Sequence, residues 1–182
     1  MKELIGLDAL CIKSVGYGES DSIITLYAAG RGKVSAKVRG ARGAKGKLRY
    51  AASLLTFARY QLAVGGDKAT VTACDVYDNF FALCADPLKY YAACTVLEFC
   101  EKTQPEGEYN HALFSAALAC LRDLAYSSSP EEEVLERFLL AALAAVGYAR
   151  PKGKLRDLGN FLYKKTDIIL QALKGFLKIS EA

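Results

Sequence analysis

Residues 32–40 read "GKVSAKVRG". Val34, Ala36 and Val38 alternate with Lys33, Ser35, Lys37 and Arg39. A period of two belongs to a β-strand whose apolar row meets a core and whose other row meets water. The stretch therefore predicts a half-buried strand with a basic outer face. Its surroundings carry the charge further: Arg31 to Arg49 hold eight lysines and arginines in nineteen residues and no acidic side chain.

Outward from this strand, the first eighty residues continue in short strands. "LIGLDALCIKS" and "DSIITLYAA" are rich in apolar and β-branched residues, and "VGYGES" between them supplies two glycines for a turn. "SLLTFARYQLAV" reads as a fourth strand, Gly65-Gly66-Asp67 as a hairpin turn, and "KATVTACDVY" as the return. Five short strands in so few residues predict a small closed or nearly closed barrel.

The pattern changes after Tyr77. Asp86-Pro87 is an N-cap followed by proline at the first helical position, opening "PLKYYAACTVLEFCEKT". A second helix is expected from Glu108 to Tyr126, apolar around most of its circumference and so central to this half. Ser129 and Glu132 have capping-box spacing, and Glu131, Glu132 and Glu133 suit the positive end of a helix dipole. Val134, Leu135, Phe138, Leu139, Ala142, Leu143 and Val146 form one stripe, which Gly147 ends. From Leu155 another helical pattern runs, interrupted near residues 164–167. The expected fold class is α+β and multi-domain: a five-stranded barrel over residues 1–80, then an α-helical bundle domain over 81–182.

Charge is unevenly divided. Residues 1–80 carry 12 basic and 7 acidic side chains, residues 81–182 carry 12 and 13, so the net charge of +4 is local to the first half. That asymmetry predicts a polyanion-binding face there. No run of apolar residues is long enough for a membrane span, and the N-terminus lacks the pattern of a signal peptide. The six cysteines, at 11, 74, 84, 94, 100 and 120, form no C-x-x-C pair, which reads as buried thiols in a reducing cytoplasm, with no metal or other cofactor.

Little in the sequence points to bond-making chemistry. His111 is the single histidine and stands in an apolar helical stretch. "GYGESD" begins like a dinucleotide-binding turn, but Asp21 occupies its third glycine position, so a hairpin turn is the better reading. No set of nucleophile, base and orienting group assembles. A binding protein is expected, not an enzyme.

The candidate nucleic-acid-binding residues are Arg31, Lys33, Lys37 and Arg39, on or beside a strand, and Arg42, Lys45, Lys47 and Arg49, in a loop with Gly40, Gly43 and Gly46. Glycine lets backbone approach a phosphate chain. Tyr50, Phe57 and Tyr60 are candidate stacking rings, with barrel core as the alternative for the last two. A basic track with a few rings on a barrel is how OB-folds hold single strands. If about five cations each neutralise a phosphate, log affinity falls with log salt at a slope near −3.5. Arg150, Lys152, Lys154 and Arg156 form a second, smaller cluster that extends the path.

Several of these stretches resemble one family. "GYGESDSIITLYAAGRGKVSAKVRGARGAKGKL" is similar to the N-terminal region of the bacterial recombination mediator RecO, through Glu19-Ser20-Asp21, Gly32-Lys33 and Arg39-Gly40-Ala41-Arg42. "LLTFARYQLAV" resembles the family's next strand, and "ERFLLAALAAVGYAR" its helix ending in Gly-Tyr. The resemblance implies an N-terminal OB-fold, a helical domain, and DNA repair and homologous recombination as the function. It implies binding of single- and double-stranded DNA, annealing of complementary strands, and help in loading RecA onto coated single strands. Its implied partners are RecR and the C-terminal tail of single-strand DNA-binding protein, with RecA indirectly, in a cytoplasmic, nucleoid-associated setting. An acidic tail needs a cation beside an apolar pocket, for which Arg137 with Phe138, or Arg122, is the candidate. For Arg137 the alternative is an ordinary ion pair with Glu133.

One departure stands out. Many members carry two C-x-x-C pairs soon after the Gly-Tyr; here Gly147-Tyr148 is followed by "ARPKGKLRDLGNFLYKKTDIILQ", so this is a short form without the four-cysteine zinc motif. Three rival readings stay open: an RNA-binding OB-fold protein, a thiol- or metal-dependent enzyme using Cys74, Cys84, Cys94 or Cys100, and a scaffold that binds only proteins.

Overall fold

A computed structural model describes residues 3–43, 46–148 and 151–182. The chain divides into two compact units, one of residues 1–79 with 104–109 and one of 80–103 with 110–182. Among the described residues there are five strands and five α-helices.

The first unit is a closed barrel in the order β1-β2-β3-β5-β4, formed by β1 (Glu3–Tyr17), β2 (Asp21–Ala28), β3 (Gly32–Val38), β4 (Phe57–Gly65) and β5 (Lys68–Asp78). All neighbours are antiparallel except β3 and β5, which meet in parallel at a single paired position, Lys37 opposite Thr70. A five-stranded barrel in this order, with its β3–β5 seam reduced to one pairing, is the architecture of an OB-fold. β1 is long enough to pair with both β2 and β4, and a bulge between Cys11 and Lys13 lets it bend from one partner to the other.

The alternation read in the sequence sets the barrel's inside. Leu7, Ala9 and Cys11 from β1, Ile24, Leu26 and Ala28 from β2, Ala36 and Val38 from β3, Ala58, Tyr60 and Leu62 from β4 and Val71 from β5 form one buried cluster. Many of these are alanines, which leaves room for the Tyr60 ring. Tyr60 is fully buried and its Oη donates to the Ala51 carbonyl at 3.3 Å. The fourth strand begins at Phe57, not at Ser53 as the apolar run predicts. Leu55 takes a left-handed φ of 70°, and the Thr56 carbonyl accepts from the Cys11 N–H at 2.9 Å, so the chain is still turning there.

Residues 104–109, the connection between the first two helices, belong to the barrel unit. Lys33 and Glu106 form a parallel bridge, the Gly107 N–H donates to the Lys33 carbonyl at 3.3 Å, and Tyr109 lies 6.5 Å from the Tyr27 ring. Gly32 is what permits this. Its φ is +78°, and a Cβ there would stand 2.1 Å from the Glu108 carbonyl oxygen.

The second unit holds α1 (Pro87–Thr103), α2 (His111–Tyr126), α3 (Glu131–Ala145), α4 (Leu155–Thr166) and α5 (Gln171–Ser180). Asp86 caps α1 through its Oδ1, which accepts from the Leu88 and Lys89 N–H groups at 2.8 and 3.2 Å. α2 starts later than Glu108, because Asn110 is its cap: Asn110 Oδ1 accepts from the Leu113 N–H at 3.0 Å. α3 is preceded by Pro130 with no side-chain cap, so Ser129 and Glu132 do not form the expected box. The central helix is α1, which packs against α2, α3 and α5, whereas α2 packs against α1 and α3. The interruption after α4 is Asp167, in a left-handed conformation at the helix end. No helix among the described residues is long and apolar enough to cross a membrane.

Candidate nucleic-acid interface

Near the single β3–β5 pairing the barrel wall opens into a groove of about 500 Å³. Tyr17 from the end of β1, Ser35 and Lys37 from β3, Arg39 just beyond it, and Lys68 at the start of β5 line it, with Ile23 and the small residues Ala36, Ala63 and Ala69. The period of two explains the supply of cations. Val34, Ala36 and Val38 turn inward, so Lys37 and Arg39 turn outward to where the groove lies. Lys68 arrives from the far side through the tight Gly66-Asp67 turn.

Asp21 organises this end of the barrel. One carboxylate oxygen accepts from the Gly40 N–H at 2.8 Å and the other pairs with Lys37 Nζ at 2.7 Å. The Lys37 bond and then the Gly40 bond hold its carboxyl below the usual range. Lys37 Nζ also sits 4.9 Å from the centroid of the Tyr17 ring.

The candidate cations are not equivalent. Lys37 and Arg39 share the groove, and among the described residues Arg39 has no ion-pair partner. Arg42 is exposed but tied back: its Nε donates to the Asp21 carbonyl at 3.2 Å and its terminal nitrogen to the Gly18 carbonyl, closing the β1–β2 turn. Arg31 is exposed in the β2–β3 turn, and Lys33 lies at the same end of β3, beside the segment carrying Glu106 and Glu108. Lys47 and Arg49 are exposed after the glycine loop, Arg49 opening a short 3₁₀ turn. Gly46 serves loop packing, since a Cβ there would lie 2.2 Å from the Gly40 carbonyl oxygen. Lys45 and Arg150 lie outside the described residues.

The rings distribute differently from the sequence reading. Tyr60 is core, and Phe57 packs on Tyr77 at 5.2 Å, whose Oη donates to Asp8 at 2.7 Å. Tyr50 is exposed, but the ring in the groove is Tyr17. Tyr17 and Lys68 were missed because each sits outside the basic run. Their positions flanking the β1–β2 and β4–β5 turns are the signal that finds them once the barrel is taken as an OB-fold, whose ligand face lies between those loops.

In the helical unit Arg137 pairs with Asp123 at 2.8 Å, not with Glu133. Arg137 borders a hollow of about 430 Å³ with Glu133, Glu136, Leu140 and Lys154, and a smaller one with Ala116, Cys120 and Phe138. Phe138 is buried edge-on against Phe99 at 5.8 Å. Arg122 is exposed and borders neither hollow. In the second basic cluster Lys154 pairs with Glu136 at 3.5 Å and Arg156 with Glu181 at 2.5 Å, while Lys152 is exposed.

Thiol chemistry runs against the environment of most cysteines. Burial pushes the Cys11 and Cys100 thiols up to about 12 and Cys74 to about 11, and it raises Cys120 and Cys94 too. A nucleophilic cysteine needs the opposite shift. Among the described residues no group of three or more His, Cys, Asp or Glu is placed to hold a metal.

Two family models match the sequence: recombination protein O N terminal over residues 1–80 and recombination protein O C terminal over residues 84–150. A DNA repair protein RecO from Acetivibrio thermocellus is 28% identical over 183 residues, covering 94% of this chain and 73% of that protein. One from Pelotomaculum thermopropionicum is 33% identical over 147 residues, covering 80% and 56%. One from Desulfitobacterium hafniense is 33% identical over 114 residues, covering 63% and 42%. The matches to the latter two thus span only about half of those relatives' own length.

Proposed function

The chain belongs to the recombination protein O family, and from that premise we propose that its barrel binds DNA along the groove of Tyr17, Lys37, Arg39 and Lys68, in the service of DNA repair and homologous recombination. One observation carries the reading: cations from two strands far apart in sequence converge on one open groove that also offers an exposed ring. Arg31, Lys47 and Arg49 are further exposed cations of the same unit and add to its positive charge.

The work such a surface does is electrostatic. Phosphates displace counterions and are held by Lys and Arg, and two complementary strands held together repel one another less. Annealing follows from that neutralisation, with no bond-making group required. Single- and double-stranded DNA both bring phosphates, so both bind. The same reading extends to handing coated single strands to RecA, with RecR as a partner, in the bacterial cytoplasm.

For the tail of single-strand DNA-binding protein we place the contact at Arg137. Its pair with Asp123 is exposed on both sides, and exposed pairs open at a cost of about 0–1 kcal/mol. An incoming carboxylate can take the place of Asp123, with the hollow beside Phe138 receiving an apolar side chain.

Strand annealing with complementary oligomers tests the DNA reading. Lys37→Ala, Arg39→Ala and Lys68→Ala together are expected to slow annealing and to flatten the dependence of log affinity on log salt by roughly 2 for a single strand. An unchanged rate and an unchanged salt slope would remove the groove from the account. Competition by RNA of the same sequence separates this reading from an RNA-binding role.

A further inference from the structure

We propose that Tyr17 is a base-stacking platform and that the groove it lines is a subsite for unpaired nucleobases, distinct from the phosphate contacts around it; this rests on the reading that the barrel binds DNA. Tyr17 is 56% exposed although it sits at the end of a strand and inside a groove. The ring has one defined cationic neighbour. Lys37 Nζ lies 4.9 Å from its centroid, and Lys37 is itself fixed by Asp21 at 2.7 Å. Asp21 is anchored in turn by the Gly40 N–H, and it is paired in register with Tyr17 across the β1–β2 hairpin. A chain of contacts, Gly40 to Asp21 to Lys37 to the ring, thus ties the ring to the hairpin.

The surroundings fit a flat apolar ligand with charge at its edges. Ile23, Ala63 and Ala69 give low apolar walls, and Arg39 and Lys68 line the same groove, with Asp67 the acidic side chain among its lining residues; the two cations can neutralise phosphates flanking a stacked base. Stacking on a π-face is tolerant of base identity, so the site selects for strandedness and not for sequence. A duplex keeps its bases stacked on one another and offers the ring only sugar and phosphate. The consequence is a division of labour: the cations hold either form of DNA, and Tyr17 adds affinity only for unpaired bases.

The protein contains no tryptophan, so Tyr17→Trp places a single reporter in the groove. Oligodeoxythymidylate is expected to quench its emission, and a duplex of equal length to leave it unchanged. Tyr17→Ala is expected to weaken single-strand binding by roughly 5- to 150-fold and to leave duplex affinity as it was, with Tyr17→Phe close to the parent. If Tyr17→Ala weakens both forms alike, or neither, while Arg39→Ala and Lys68→Ala still weaken both, stacking is wrong and DNA binding stands. If the cation variants also bind normally, the DNA reading falls with it. Thermal melting of each variant confirms that the fold is retained.

Discussion

Asp21 holds the Gly40 N–H at 2.8 Å with one carboxylate oxygen while its other oxygen pairs with Lys37. A single side chain in the first hairpin thus fixes both the turn after β3 and the cation that faces the groove. Glu19-Ser20-Asp21 and Arg39-Gly40-Ala41-Arg42, separate in the sequence, are two halves of one arrangement, completed by Arg42 reaching back to the Asp21 and Gly18 carbonyls.

Removing the Asp21 carboxylate is expected to loosen this end of the barrel. Asp21→Ala loses both bonds, whereas Asp21→Asn keeps an acceptor for Gly40 and releases Lys37, so the asparagine variant is expected to melt higher than the alanine one and to bind duplex DNA, which uses the cations alone, more tightly than the parent. The pH dependence has a defined sign. Because the folded-state carboxyl titrates below its usual value near 3.8, its stabilisation is complete above that pH and is lost as pH falls through the lowered value. Melting curves between pH 2 and 6 are expected to show a shallower acid loss for Asp21→Asn than for the parent.

Gly32 and Gly30 make an internal comparison. Both have positive φ, +78° and +72°, but only at Gly32 would a Cβ meet backbone, that of Glu108; at Gly30 nothing lies within 4 Å. Gly30→Ala is expected to cost about 1–2 kcal/mol from the left-handed conformation alone. Gly32→Ala must also displace residues 104–109, and chemical denaturation is expected to show a clearly larger loss. Equal losses would mean that this connection does not rest on Gly32.

Tyr60 separates barrel core from ligand contact. Tyr60→Phe deletes the hydroxyl bonded to Ala51 and is expected to lose about 0.5–1.5 kcal/mol. Tyr60→Ala empties a fully buried position and is expected to lose about 3–5 kcal/mol. DNA affinity of the phenylalanine variant, measured below its melting temperature, is expected to match the parent.

Thiol labelling of the native protein is expected to follow burial. Cys84 is exposed and reacts first; Cys11, Cys100 and Cys120 react only on unfolding. The folded-state thiols of Cys11 and Cys100 titrate near 12 against an ordinary value of 9.0. Their burial as neutral groups therefore favours the fold below pH 9 and loses ground as pH rises toward 12. A Cys11→Ala, Cys100→Ala variant is expected to show a flatter alkaline melting profile.

How much of this was legible in advance depended on the range of the signal. The alternation in residues 32–40 places Val34, Ala36 and Val38 inside and Lys37 and Arg39 outside with no knowledge of the partner strands. Asp86-Pro87 and Gly147 punctuate helices by local bonds alone. Where the reading slipped, the deciding contact was distant. Ser53 to Thr56 looks like strand, but Leu55 turns where β1 meets it through Cys11. Ser129 and Glu132 are the exception, where the cause is local: Pro130 takes the cap position and no cap bond forms. Residues 104–109 carry no strand pattern and still bridge to β3 through Lys33.

The sequence by itself determined which face each β3 residue takes and where positive charge accumulates, because side-chain direction along a strand is a local property of the backbone. Only the tertiary structure decided that Tyr17 and Lys68 stand with Lys37 and Arg39, that Tyr60 fills the barrel, and that Arg42 is tied to a turn. Closing a barrel brings strand ends together through the register of every pairing at once, and no stretch of the chain encodes that alone.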